Sequence, residues 1–178
     1  MWFLVMLACS SSEVPQQQPA APEAAVAKTV ATPAVPVFEG GNMTPDLYRR
    51  LATELTGAIE SGQNADVIAA RAQRLTLTGL GLLTNLRSKH PECEAYFDAI
   101  VQVAPKLGDM PLERIETGFH ADGELPKSPG GACYHGKDLV VHPATVVALA
   151  KAGLKTPEDR NKAVGEITEV LNHLTAVQ

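Results

Sequence analysis

Aromatic residues are scarce in this chain: one Trp, three Tyr and four Phe in 178 residues. So few rings exclude an aromatic-lined surface on which sugars or bases stack, and an aliphatic core is the expectation. A basic stripe is also missing. The 15 Lys and Arg are interspersed among 20 Asp and Glu, the net charge is -5, and nucleic acid is not an expected partner. No stretch of the folded region alternates apolar and polar positions with the content of a half-buried strand; Leu139, Val140 and Val141 read as a brief extended segment at most. Motifs that announce chemistry are absent too. There is no HExxH, no pair of CxxC elements, no CxxCH for covalent haem, no nucleophile elbow and no phosphate-binding loop. These absences favour a binding or interaction domain over an enzyme.

What is present divides the chain in two. Residues 10–38 are almost entirely Ser, Pro, Gln, Ala, Val, Thr and Glu, with prolines at 15, 19, 22, 33 and 36 and no aromatic before Phe38. Such a segment buries too little apolar surface to offset its backbone entropy, so it reads as a disordered, partly extended tether. Roughly 135 residues remain for one hydrophobic core, and the folded domain is placed at residues 41–178.

The apolar run MWFLVMLA, residues 1–8, stops at Cys9 and is followed by Ser10, Ser11 and Ser12. It is far shorter than the ~20 residues of a membrane-spanning helix. It reads as the end of a signal peptide whose start lies upstream, because no Lys or Arg precedes it. Met6, Leu7, Ala8 and Cys9 resemble the lipobox of bacterial lipoproteins. The resemblance implies cleavage before Cys9, diacylglycerol on its sulfur, and palmitate among the acyl chains. Residues 9–40 would then tether a periplasm-facing domain. With no Asp directly after Cys9, the resemblance further implies the outer membrane. The expected partners are the membrane, through the lipid, and another protein of the cell envelope.

Helix signals fill the rest. Thr44, Pro45 and Asp46 are an N-cap, a proline at the first helical position and a first-turn acid. Leu47, Leu51, Leu55 and Ile59 then recur every fourth residue until Gly62. Asn64 caps a second helix, in which Val67, Ile68, Ala72 and Leu75 lead into Leu80, Leu82, Leu83 and Leu86. Gly79 and Gly81 inside it cost about 1 kcal/mol each and require either a closely packed neighbour or a bend. His90 and Pro91 end that helix and start a third, with Cys93, Tyr96, Phe97, Ile100, Val101 and Ala104 inward and Gly108 as its stop. Residues 111–117 read as a short helix. Pro143 opens a fifth that runs to Gly153, and Thr156, Pro157, Glu158 and Asp159 open the last, with Val164, Ile167, Val170, Leu171 and Leu174 as its stripe. The expected fold is all-α, a helical bundle of about four main helices plus short ones. One long irregular loop, His120 to His142, is expected to be stapled to it.

That loop carries the candidate chemistry. With Cys9 assigned to lipid, Cys93 and Cys133 are left, and in an exported protein their simplest reading is a disulfide. The alternative is two free thiols serving as ligands or a redox pair. His120, His135 and His142 share the segment with Cys133 and are candidate ligands for zinc or copper. A histidine together with Met110 could hold haem without covalent attachment. The competing reading gives the histidines structural tasks, with His142 capping the fifth helix, His135 bonding loop carbonyls and His120 exposed. Asp122, Glu124 and Asp138 supply carboxylates, and Ser128 and Tyr134 hydroxyls, yet acid–base chemistry needs them in one cleft. Tyr134, His135, Lys137 and Asp138 form the expected exposed functional patch. Taken alone, the sequence points to a tethered periplasmic binding domain without a cofactor. A metal- or haem-binding bundle built on His120, His135 and His142 is the alternative.

Overall fold

The computed structural model describes residues 43–178; the leader, Cys9 and the tether lie outside the described residues. Six α-helices follow in order: α1 (Pro45–Glu60), α2 (Ala65–Lys89), α3 (Glu94–Leu107), the single turn α4 (Leu112–Ile115), α5 (Gly131–Ala152) and α6 (Pro157–Ala176). A 3-10 turn, Pro91–Cys93, joins α2 to α3, and a π-helical stretch, Glu116–His120, prolongs α4. Among the described residues there is no strand, and no helix is long and apolar enough to cross a membrane. The fold is all-α, as the helix signals predict.

The caps do what their residue types allow. Thr44 and Asn64 accept from Leu47 N at 3.2 Å and Val67 N at 2.9 Å, each satisfying one free amide of a helix start. Thr156 and Asp159 form a reciprocal capping box on α6. α1 buries Tyr48, Leu51, Leu55 and Ile59, and α6 buries Ile167, Val170 and Leu174.

The centre of the molecule departs from expectation. The segment read as a loop is irregular only from Ala121 to Gly130; α5 starts at Gly131, well before Pro143, and contains Cys133, His135 and His142. Leu139, Val140 and Val141 are helical rather than extended, and His142 sits within the helix instead of capping it. Every residue from 136 to 150 is buried, because α5 is the axis against which α2, α3 and α6 pack. A helix enclosed on all sides needs no polar face, so it lacks the amphipathic period by which surface helices are recognised.

Pro143 survives inside α5 because its neighbours repair the break. Proline has no N–H to give the carbonyl four residues back, here Leu139 O. Tyr48, fully buried on α1, donates its hydroxyl to that oxygen at 2.7 Å. Gly79 lets α2 approach the same turn, since a Cβ there would overlap Leu139 O. A closely packed neighbour therefore explains this glycine, and no bend is needed.

Cys93 and Cys133 are joined by a disulfide, with their Cα atoms 5.2 Å apart. Both are fully buried. The bond fastens the turn before α3 to the start of α5, so it links two helices rather than pinning a flap, and neither thiol is free to serve as a ligand.

Candidate metal centre

On α5, His135, Asp138, His142 and Thr145 follow one another at intervals of three and four, which places them on one helical face. Glu166, Glu169 and His173 repeat the same spacing on α6. Where these two faces meet, His120 and Asp122 come in from the end of the π-helical stretch and the connection after it. The result is a row of four imidazoles: the ring centres of His120 and His142 are 4.6 Å apart, those of His142 and His173 are 5.0 Å apart, and those of His173 and His135 are 5.0 Å apart.

Carboxylates flank the row. His142 Nδ1 lies 2.9 Å from Glu166 Oε2, and His120 Nε2 lies 3.6 Å from the same oxygen. His173 Nδ1 is 3.5 Å from Asp138 Oδ2 and 2.7 Å from His135 Nδ1. His120 Nε2 also lies 3.0 Å from Thr145 Oγ1. The Thr145 hydroxyl donates to Val141 O, so the imidazole is the donor in that contact and carries its proton on Nε2. A cation at Nε2 would shift this proton to Nδ1.

Beneath the histidines is a buried charge cluster. Lys137 is fully buried, and its ammonium has three protons to give. They go to Phe119 O at 2.9 Å, His120 O at 2.9 Å and Asp122 Oδ1 at 3.1 Å. Asp122 Oδ1 also accepts from the Tyr96 hydroxyl at 2.7 Å. Asp138 Oδ1 is 3.0 Å from the same ammonium but out of line for a hydrogen bond, and both of its oxygens are buried without a donor. The attraction is Coulombic only, and this carboxylate remains unsatisfied.

Burial sets the protonation of the site. It pushes the His120, His142 and His173 imidazoles down to about 4, helped at His120 by His142 and at His173 by His142 and His135. Burial also raises Glu166 to about 7 although His120 opposes it, and raises Asp138 to about 7 against the pull of Lys137. At neutral pH these imidazoles are therefore uncharged, which is the form that ligates metals.

Among the described residues, two sets of groups could each take one ion: His120, His142 and Glu166; and Asp138, His142 and His173. Within each set the ligand atoms lie within 4.8 Å of one another. Zinc at 2.0–2.1 Å from nitrogen needs ligand atoms about 3.3 Å apart, and Glu166 Oε2 stands 2.9 Å from His142 Nδ1 and 3.6 Å from His120 Nε2.

Several expected site residues are placed differently. His120 and His142 do converge, but His135 pairs with His173, and Glu166 takes the third position in their group. The expected surface patch is not one: Lys137 and Asp138 are 0 % exposed, His135 is half-buried, and Tyr134 is exposed, its ring 4.2 Å from the buried Lys137 ammonium. His120 is mostly buried rather than exposed, at 16 %. Glu124 is engaged with Arg114 near the surface, and Ser128 donates to Gly130 O. Met110 lines a cavity of about 440 Å³ with Phe119 and Leu125 that no histidine lines.

Glu166, Glu169 and His173 were not singled out from the sequence, because on α6 they read as the solvated side of an amphipathic helix. The repeated three-and-four spacing of ligand-type residues on α5 and α6 is the signal that finds them. No protein-family model, curated protein or solved structure matches the chain, so the reading of this site rests on its own residues.

Proposed function

We propose that the protein is a lipid-anchored domain of the bacterial cell envelope that binds a divalent transition-metal ion, zinc or copper, on His120, His142 and Glu166. The observation that carries this reading is the meeting of two neutral imidazoles and one carboxylate from three separate elements, with ligand atoms within 4.8 Å. Imidazole and carboxylate donors suit zinc and copper, and three protein ligands leave a position open. A cluster this rich in buried ionisable groups is expensive as mere packing. A cation offsets that cost by neutralising Glu166 and engaging the ring lone pairs. The haem alternative loses its support, since Met110 faces a different cavity. So does an interaction patch at Tyr134, His135, Lys137 and Asp138, whose two charged members are buried.

The metal reading is tested by calorimetric titration of Zn²⁺ into the full-length protein, purified without a polyhistidine tag and stripped with chelator. Saturable binding is expected, with a gain of about 2.7 kcal/mol in stability at about 100-fold excess over Kd. The His142→Gln variant, shown folded by circular dichroism, should bind no zinc at this position. Absent binding, or binding unchanged in that variant, contradicts the proposal.

The address rests on Met6–Cys9 and on the composition of residues 10–38, and a disulfide is in keeping with an oxidising compartment. Mass spectrometry of the membrane fraction should find an amino-terminal peptide that begins at lipid-modified Cys9. An unmodified Met1 in membrane-free extract would sink the anchor.

A further inference from the structure

His142 belongs to both ligand groups. Its Nδ1 faces Glu166 Oε2 at 2.9 Å, whereas Nε2 faces Glu169 Oε2 at 4.0 Å, one helical turn further along α6. A ring whose two nitrogens address different carboxylates can serve two ions at once. The second observation is independent of the ring. Asp138 is fully buried and its carboxylate has no hydrogen-bond donor among the described residues, because the Lys137 ammonium spends its three protons on Phe119 O, His120 O and Asp122 Oδ1. Its Oδ2 points toward His173, 3.5 Å from Nδ1. Lys137 approaches this carboxylate from the Oδ1 side only, at 3.0 Å, so the buried Oδ2 facing His173 is the open ligand position.

We infer that the centre is dinuclear: a second divalent transition-metal ion sits on Asp138, His142 and His173, and the His142 ring bridges it to the ion on His120 and Glu166. This inference rests on the metal reading above. Each ion takes one ring nitrogen of His142, whose last ring proton leaves to solvent, and the bridging ligand is an imidazolate. The charges balance. Two divalent cations face the imidazolate, Glu166, Asp138 and Glu169, while Lys137 and Asp122 offset each other. With about 2.0–2.1 Å from nitrogen to metal on each side, the ions stand about 6 Å apart. His135, 2.7 Å from His173 Nδ1, orients that ring, as outer-shell partners of ligands do.

The test is metal stoichiometry together with electron paramagnetic resonance of the full-length untagged protein loaded with Cu²⁺. Two ions per chain are expected in the unaltered protein, one in His120→Gln, one in His173→Gln and none in His142→Gln. The two coppers should be magnetically coupled, with the ordinary mononuclear signal largely lost and restored in either single-site variant. One ion per chain that both His120→Gln and His173→Gln abolish overturns the dinuclear centre and leaves the single-ion proposal standing. Two ions with independent mononuclear signals overturn the bridge. Failure to bind any ion refutes both readings. The spectrum of the unaltered protein decides the bridge even if a variant does not fold.

Discussion

Lys137→Met should destabilise the metal-free domain by about 3–5 kcal/mol, the range for removing one partner of a buried charge pair. The loss is larger than a simple count of hydrogen bonds suggests. Among the described residues the fully buried Lys137 is the cation that pairs with both the buried Asp138 and the partly buried Asp122, and it also serves the carbonyls of Phe119 and His120. Methionine fills much the same volume but leaves two anions and two carbonyls facing each other. Adding Asp138→Leu to this variant should recover about half of the loss. The second change removes the anion left without compensation, while Asp122 keeps the Tyr96 hydroxyl. Urea denaturation in the presence of chelator measures both values. A double variant as unstable as the sum of the two single ones would show that the pair is not coupled.

The second large effect concerns the disulfide. The Cys93–Cys133 bond closes a loop of 40 residues, and loop-closure entropy assigns about 4 kcal/mol to a constraint of that length. Replacing both cysteines by Ala should lower Tm by roughly 10–20 °C for a domain of this size. The consequence extends to the site. Cys133 lies just before His135, Asp138 and His142 on α5, so the bond anchors the end of the helix that presents them. Zinc affinity should fall along with Tm. A double variant that melts with the unaltered protein would mean that packing alone sets the position of α5.

Much of the scaffold was legible in the sequence for local reasons. Thr44, Asn64 and Thr156 are caps whose side chains bond the amides they precede, and α1 and α6 carry apolar stripes because each has one face on the core. The disulfide followed from cysteine arithmetic, on the expectation that the chain is exported and Cys9 carries lipid. The axis of the fold was hidden for the opposite reason. α5 is enclosed on every side, so it has no polar face to give a period, and Gly131, Gly136 and Pro143 look like loop residues until Tyr48 and Gly79 are seen to accommodate the proline and Phe97 to pack on Gly136. Lys137 and Asp138 were misplaced at the surface because charged side chains are almost never fully buried unless paired, and the pairing is tertiary. The histidines were legible as ligand candidates but not as a set. His120 and His142 stand 22 positions apart and meet only through the turn after α4, and their shared carboxylate comes from α6.

The most direct test is a crystal of the zinc-loaded protein with diffraction data collected on both sides of the zinc absorption edge. An anomalous peak within bonding distance of the His120 and His142 rings and the Glu166 carboxylate is the predicted result. Zinc found only at surface carboxylates, with those three side chains still bonded to one another, would contradict it.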